Sequence, residues 1–211
     1  MRVSKAYFLT FSIMALLGAA LVFSAAALPG TARAAGPAMG QTAWSGGDFA
    51  SGVGGEWSVS ETLKVGKTTI LGPFNYRNDS VPSAATLTLE NLTPGKYRLR
   101  FDLYLIGSWD SAGSDKADTF DVLDGADRTL LHMTEFPCRI EGTNESKPIG
   151  NAGLVRTPLS QRELGYWVVP VSLDIEPGSF ADGKLRLRFV GHPTARRVES
   201  WGLADVRLEP R

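Results

Sequence analysis

The sequence predicts an all-β protein: an antiparallel two-sheet β-sandwich of the jelly-roll or lectin-like kind. Its main pattern is the alternation of apolar and polar residues with a period of two, which puts one face of a strand on a core and the other in water. Turn signals separate the alternating runs, and no segment carries a sustained helical stripe. Many short strands with no helices to cover a parallel sheet favour antiparallel layers packed face to face.

The clearest strand is predicted at 97–105, where the odd-numbered residues are apolar and the even-numbered ones mostly polar. Residues 184–190 repeat the pattern, with Leu185, Leu187 and Phe189 facing inward. A third run covers 169–175, where Pro170 indicates an edge strand or a bulge because proline cannot donate to a ladder. Shorter strands are predicted at 57–65, 68–71, 85–89, 119–123, 129–135 and 204–208.

The amino end has the parts of a secretory signal. Arg2 and Lys5 precede an apolar run over 6–28, which a Pro-Gly pair and a small-residue A-x-A site follow. We place cleavage after Ala34, which predicts a secreted, extracellular or periplasmic chain. The apolar run is longer than the roughly 7–15 residues usual in a signal, and a membrane span needs about 20. An uncleaved membrane anchor is therefore the alternative.

Cleavage would leave 177 of the 211 residues, which suits one domain. Residues 35–53 are rich in Gly, Ala and Ser and are expected to form a flexible lead or an irregular first strand. The sandwich domain is predicted at 54–211. Within it, residues 140–163 show no period, and so long a loop in a compact domain is where we expect partner contact.

Composition excludes some classes of function. The leader carries three bases and no acid, so its removal takes the net charge from 0 to −3, which argues against nucleic acid as a partner. Cys138 is the single cysteine, so no disulfide can form within the chain, and we expect a small buried apolar residue. With only His132 and His192 beside it, a four-ligand zinc site made of Cys and His is excluded.

Five carboxylates crowd the stretch SWDSAGSDKADTFDVLDG at 108–125. If Phe120 and Val122 face the core, Asp118 shares their side at the start of the strand and Asp121 points to the other face. Asp110 follows the end of the 97–105 strand, where Gly107 permits a bend. Of the other two acids, Asp115 is expected in solvent and Asp124 in a turn with Gly125.

Two carboxylates at one end of a sandwich repel each other unless a cation or a proton relieves them. Calcium suits such a place because it accepts 6 to 8 oxygen ligands in a flexible geometry. The EF-hand spacing is absent from the sequence. A solvated acidic turn is therefore the alternative interpretation of these residues.

The chain resembles a family of secreted bacterial β-sandwich domains from about residue 71 to 208. That family's signature has an LGPF opening, an IGSWDG strand end, a D-x-F-x-V strand, an LGY segment and a terminal ESWGLDNV. The matching segments, in the same order, are LGPF (71–74), FDLYLIGSWDS (101–111), DTFDVLDG (118–125), TLLHMTEF (129–136), LGYWV (164–168) and ESWGLADVRL (199–208).

The resemblance implies extracellular placement, a lectin-like jelly roll and acidic positions suited to calcium, but no settled biochemical activity. The positions carried over are Asp110, Asp118 and Glu199. The chain departs from the family at Ala204, where an aspartate is usual and a ligand would be missing. It departs again at Ser111, where glycine is usual.

Together these features predict a non-catalytic, calcium-binding module that acts in carbohydrate or surface binding, with a polysaccharide or a cell-surface component as its partner. Aromatic rings can stack on sugars, and Trp109 and Trp201 are the candidate contacts, with packing inside the sandwich as the alternative. A structural or adhesive extracellular protein that uses calcium only to rigidify loops is the second interpretation. A glycoside hydrolase with two carboxylates is the weakest, and no G-x-S-x-G motif points to a serine hydrolase.

Overall fold

The structure is a computed structural model that describes residues 43–75, 83–138, 152–195 and 197–211. All of them belong to the second of the two units into which the chain divides, Gly36–Arg211. The predicted signal at 1–34 therefore lies outside the described residues. No helix in the described ranges is long and apolar enough to cross a membrane.

The described residues form strands and two short 3-10 turns, with no α-helix among them. The strands are β1 (Trp44–Ser45), β2 (Thr62–Val65), β3 (Thr68–Phe74), β4 (Ala84–Glu90), β5 (Tyr97–Gly107), β6 (Thr119–Asp124), β7 (Thr129–Met133), β8 (Gly153–Arg156), β9 (Glu163–Ile175), β10 (Phe180–Ala181), β11 (Lys184–His192) and β12 (Glu199–Pro210).

The strands form two antiparallel sheets. The seven-stranded sheet has the order β2-β3-β12-β5-β9-β8, with β1 also paired to β12. The five-stranded sheet has the order β10-β11-β6-β7, with β4 paired to β11. The chain passes from one sheet to the other repeatedly, as it does between β5 and β6 and again between β11 and β12. The predicted antiparallel sandwich is confirmed.

The main core lies between the sheets and follows the predicted alternation. In β5 the odd-numbered residues Leu99, Phe101 and Leu103 are buried in it, and in β11 the predicted inward residues are buried as well. Trp201 of β12 is fully buried in this core, and its ring centroid lies 4.4 Å from that of Phe74.

The outer face of the seven-stranded sheet departs from the simple pattern. Tyr104 and Ile106 occupy even positions of β5 yet are buried, since they belong to a second apolar cluster with Ile70 and Val155. Tyr104 stacks on Tyr166 of β9, with ring centroids 6.0 Å apart. One end of this sheet is thus covered by apolar side chains on both faces.

The structure tests three further predictions, for Pro170, for the loop at 140–163 and for the lead segment. Pro170 lies opposite Asp102 in a part of β9 that no described strand borders on its other side, because β8 pairs only with residues 163–166, so the edge position is confirmed. The predicted loop at 140–163 is wrong in its second half, where β8 forms; residues 140–151 lie outside the described residues.

In the lead segment Trp44 pairs with Leu208, and Phe49 is buried in the core.

Gly191 of β11 makes room for Trp201. A Cβ atom at this glycine would lie 2.4 Å from both Cδ1 and Nε1 of the indole. Because Trp201 is fully buried and packed against Phe120 and Phe74, it has nowhere to move. The two sheets therefore approach each other closely at this point.

We expect Gly191→Ala to lower the free energy of unfolding by about 1–3 kcal/mol, the usual cost of overpacking a core. Chemical denaturation with fluorescence detection measures it. The matched control is Gly55→Ala, where a Cβ atom meets nothing within 4 Å, and which should change stability little. Equal stability of the two variants would contradict this packing.

Candidate functional site: an acidic rim

Four strand ends meet at one end of the sandwich. In the seven-stranded sheet, Glu199 at the start of β12 pairs with Gly107 at the end of β5. In the five-stranded sheet, Thr119 at the start of β6 pairs with His192 at the end of β11. The β5–β6 loop (108–118) and the β11–β12 loop (193–198) therefore start and finish together. Asp110 and Asp118 lie in the first loop and Glu199 directly follows the second, and we call these three residues the acidic rim.

Gly107 lets the two loops approach. Its φ of 91° lies in the region that favours glycine, and a Cβ atom there would lie 1.6 Å from the carbonyl oxygen of Val198. The bend predicted after the 97–105 strand is confirmed. No other residue fits here without moving the β11–β12 loop.

Asp118 ties the loops to each other. Its side chain is fully buried; Oδ2 accepts the backbone N–H of Asp110 at 2.6 Å, and Oδ1 accepts that of Thr194 at 2.7 Å. Its own N–H donates to the carbonyl oxygen of Asp110 at 2.9 Å. One carboxylate thus satisfies backbone donors from both loops.

Glu199 does the same a short distance away. It is 2% exposed; Oε2 accepts the N–H of Ala195 at 2.6 Å, and Oε1 accepts the hydroxyl of Ser108 at 3.0 Å. The buried side chain of Asn75, which follows β3, donates to the carbonyl oxygens of both Ala195 and Glu199. The sequence analysis missed Asn75, although it directly follows the LGPF segment.

The three acids influence one another electrostatically. Burial and the negative charge of Glu199 raise the pKa of Asp118 to about 7, although the N–H donors from Asp110 and Thr194 oppose the shift. Burial also raises the pKa of Glu199, opposed by its hydrogen bonds and assisted by the charge of Asp110. The structure thus brings the three predicted residues together at one end of the sandwich.

The carboxylate oxygens of Asp118 and Glu199 have partners within the protein. Both oxygens of Asp118 and both of Glu199 already accept hydrogen bonds, whereas calcium requires 6 to 8 oxygen ligands. In the part of the chain that the structure describes, no three His, Cys, Asp or Glu side chains are grouped so that they could hold a metal ion. Calcium binding here stays a prediction, and we derive no step from it.

Ala204 does not belong to this end of the sandwich. It pairs with Asp102, five positions along β12 from Glu199 and so about 16 Å away at the usual rise of a strand. Its side chain packs in the outer apolar cluster, on the face opposite to Trp201. The departure from the family at this position therefore removes nothing from the acidic rim.

The two tryptophans predicted as ligand contacts are buried. Trp109 and Trp201 are both 0% exposed. The Trp109 indole N–H donates to the carbonyl oxygen of Ser200 at 3.0 Å, and its ring meets Phe136 edge-on at 5.0 Å. Neither ring offers a face to a ligand, so the packing alternative describes them and the contact role has no support in this structure.

Three other residues singled out in the sequence have local roles. Cys138 is buried, as expected, and its thiol donates to the carbonyl oxygen of Trp109 at 2.8 Å. Asp115 is exposed. Asp124 holds the turn after β6: although burial opposes it, hydrogen bonds from Arg128 and Ala126 lower the pKa of this carboxyl.

An open furrow, with about as much apolar as polar surface, lies at this end of the molecule. Its central hollow, of about 590 Å³, is lined by Ser108, Asp110, Lys116, Thr194 and Glu199 among others. Val198 borders this hollow and two neighbouring ones, which add Arg162, Glu163 and Arg197. We call the three together the rim furrow. Asp118 does not line it, since it lies beneath the loops.

Comparison with known proteins finds likeness in structure only. No family model and no curated protein matches the chain, so the family resemblance stays a prediction. The K3 cleaved adhesin domain of Lys-gingipain from Porphyromonas gingivalis is 11% identical, with 80% of this chain and 99% of that one covered and a TM-score of 0.43. A carbohydrate-binding module specific for non-crystalline cellulose, CBM28, is 12% identical, with 81% and 96% covered and a TM-score of 0.45.

A third solved structure is the CBM22-1 xylan-binding domain from Paenibacillus barcinonensis Xyn10C. It is 13% identical, with 75% of this chain and 83% of that one covered and a TM-score of 0.28. With TM-scores this low, the likenesses carry no argument about the function of this chain. The function has to be argued from the acidic rim and the rim furrow.

The raised pKa of Asp118 predicts a pH dependence of stability. Its ordinary value is 3.8 and its value in the fold is about 7, so folding favours the protonated form. The contribution of Asp118 to the free energy of unfolding is fully present below about pH 4 and is lost as the pH rises through 7. Between pH 5 and 8 the free energy of unfolding should fall by at most about 1.4 kcal/mol per pH unit from this group.

Urea unfolding at several pH values measures this fall, and Asp118→Asn should reduce it. The exposed Asp115→Asn is the matched control and should keep the slope of the parent chain. Asp124 does not interfere, because its lowered pKa confines its own effect to more acidic conditions. Identical slopes for Asp118→Asn and the parent chain would overturn the assignment.

Proposed function

We propose that the chain is a secreted, non-catalytic binding module that holds a polysaccharide, or another polyhydroxylated component of a cell surface, in the rim furrow. The observation that carries the proposal is the lining of this furrow, which brings the carboxylates Asp110 and Asp115 near the cations Lys116, Arg162 and Arg197 in adjoining open hollows. Secretion is proposed from the signal-like pattern of residues 1–34.

The chemistry of the furrow suits a ligand rich in hydroxyl groups. Each sugar hydroxyl both donates and accepts, and here Asp110 and the exposed Asp115 offer acceptors while Lys116 and Arg162 offer donors. Hydrogen bonds to charged groups are the stronger ones. The hollows are open to solvent and share Val198, so a ligand could reach from one into the next.

The furrow is also held rigid before any ligand arrives. Glu199 is fixed by Ser108 and Ala195, and the hydroxyl of Thr194 donates to the carbonyl oxygen of Lys116 at 3.1 Å. A site that is already ordered loses less conformational freedom on binding, and this favours affinity. The loops therefore present their polar groups in one arrangement.

A non-catalytic role is proposed because the strongest candidate for an acid is out of reach. A glycosidase needs two carboxyl groups on either side of the bond to be cleaved. Asp118, whose pKa is raised most clearly toward neutrality, is buried beneath the loops and does not line the furrow. Its raised pKa is accounted for by burial and by Glu199 rather than by a role in proton transfer.

The second candidate is a structural or adhesive extracellular protein with no small ligand. The observation in its favour is that Asp118 and Glu199 serve as acceptors for backbone and hydroxyl groups of the protein itself. Under this reading the furrow is only the gap between two well-anchored loops. Binding measurements separate the two.

We expect the purified chain to be retained by at least one insoluble polysaccharide, or to give signals on a glycan array, without releasing sugar. Asp110→Asn, Lys116→Ala and Arg162→Ala should each lower the affinity by about tenfold, the effect of losing roughly 1.4 kcal/mol. Lys96→Ala is the matched control, since Lys96 lies before β5 at the opposite end of the sandwich and pairs with Glu176.

Each assay is run in calcium and in EDTA. Equal retention in the two would show that binding does not depend on calcium, whereas loss in EDTA would support the calcium prediction for Asp110, Asp118 and Glu199. No retention on any polysaccharide and a blank array would favour the structural role. Variants that bind like the parent chain would move the site away from the furrow.

A further inference from the structure

Both histidines of the chain lie beside one carboxylate on the outer face of the five-stranded sheet. Asp121 of β6 stands directly opposite His132 of β7, with its Oδ1 2.6 Å from the imidazole Nδ1. His192, at the end of β11, lies on the other side of β6 with its Nε2 4.0 Å from Oδ2 of the same carboxylate. Three adjacent strands thus present imidazole, carboxylate and imidazole in a row.

This group is distinct from the acidic rim. Asp118 and Asp121 lie on opposite faces of the same sheet, because Phe120 and Val122 share the buried side with Asp118. Around Asp121 the two imidazoles are about half exposed, with 54% of the His132 side chain and 46% of the His192 side chain open to solvent. The Asp121 side chain is 16% exposed and lies between them.

We propose that His132, Asp121 and His192 bind a late first-row divalent cation, of which Zn²⁺, Ni²⁺ and Cu²⁺ are the candidates. Imidazole nitrogen is the ligand these ions favour, and a carboxylate oxygen completes a common three-ligand set. Water would occupy the remaining positions, as it does in open metal sites. The sequence excludes only a four-ligand zinc site made of Cys and His, and Asp121 adds a carboxylate to the two histidines.

Such an ion requires the side chains to rotate, because it would also bring the two imidazole nitrogens to about 3.3 Å from each other. Metal–nitrogen and metal–oxygen bonds of about 2.0–2.2 Å place two ligand atoms of a tetrahedral site roughly 3.3 Å apart. The two observed separations, 2.6 and 4.0 Å, lie on either side of that value. The side chains are not grouped as a finished metal centre in the described residues, and the proposal is that turning the exposed imidazoles closes the site.

The acidic rim lacks this freedom. Its two buried carboxylates are held by backbone N–H groups of the loops, so a cation there would have to displace hydrogen bonds that position the backbone. At Asp121 a cation would take the place of the hydrogen bond between this carboxylate and the exposed His132 ring. It also brings together three side chains that stand on the rigid strands β6, β7 and β11.

Calorimetric titration of the chain, prepared without a histidine tag, with ZnCl₂, NiCl₂ and CaCl₂ tests the proposal. We expect one zinc or nickel ion per chain and no heat from calcium at this group. His132→Ala, His192→Ala and Asp121→Asn should each weaken zinc binding by at least about tenfold, since even outer-shell changes cost on that order. Asp182→Asn, an exposed carboxylate in the turn before β11, is the matched control and should bind like the parent chain.

Nuclear magnetic resonance of the imidazole rings provides a second readout. The chain has only two histidines, so added Zn²⁺ should shift both sets of ring signals together and saturate at one equivalent. Thermal unfolding of each variant without metal checks that it folds. An absence of zinc and nickel binding, or equal binding by the parent chain and by both histidine variants, would overturn the proposal and leave an ion pair only.

Discussion

Two buried carboxylates hold the loops at one end of this sandwich. The β5–β6 and β11–β12 loops have no strand partner, so the backbone N–H groups of Asp110, Thr194 and Ala195 need acceptors from elsewhere. Asp118 and Glu199 supply them. A buried donor left without an acceptor costs about 1–3 kcal/mol, and three such donors would open these loops. The shape of the rim furrow therefore depends on these two side chains.

Burying Asp118 and Glu199 also lowers the stability of their charged forms. Removing a carboxylate from water disfavours its charged form, and a second carboxylate nearby adds repulsion. The raised pKa values of Asp118 and Glu199 are the result. The two sheets tolerate these buried carboxylates because they are well packed. Trp201 fills the space above Gly191, and β12 pairs with β5 for nearly its whole length. Stability from the sheets thus offsets the strain of charged groups at one end.

The sequence predicted the sandwich and the location of the rim because both follow from alternation along a strand. Phe120 and Val122 fixed the side on which Asp118 lies, and Gly107 marked the bend. The same reasoning could not tell what the carboxylate oxygens contact across the chain, since Thr194 lies 76 residues beyond Asp118 and Ser108 lies 91 residues before Glu199. The pairing of His132 and His192 around Asp121 was hidden for the same reason, because only the order of strands in the sheet brings them together.

Some structural features that we did not predict are nevertheless indicated by the sequence. The run from Leu103 to Ile106 is apolar without interruption, a sign of a strand covered on both faces, and this is where the outer cluster forms. Trp109 and Trp201 were candidates for sugar contact because a ring near polar loops suits either role; their flanking strand residues decide for the core. Asn75 gave no signal of its own, since its partners are backbone carbonyls on a distant segment.

The most direct measurement is amide hydrogen exchange of the loops in the parent chain and in Asp118→Ala. If Asp118 holds them, the amides of Asp110 and Thr194 exchange as slowly in the parent chain as those of neighbouring strands. They should lose that protection in the variant while the amides of β5 keep theirs. Rapid exchange at both positions in the parent chain, or unchanged protection in Asp118→Ala, would contradict the account.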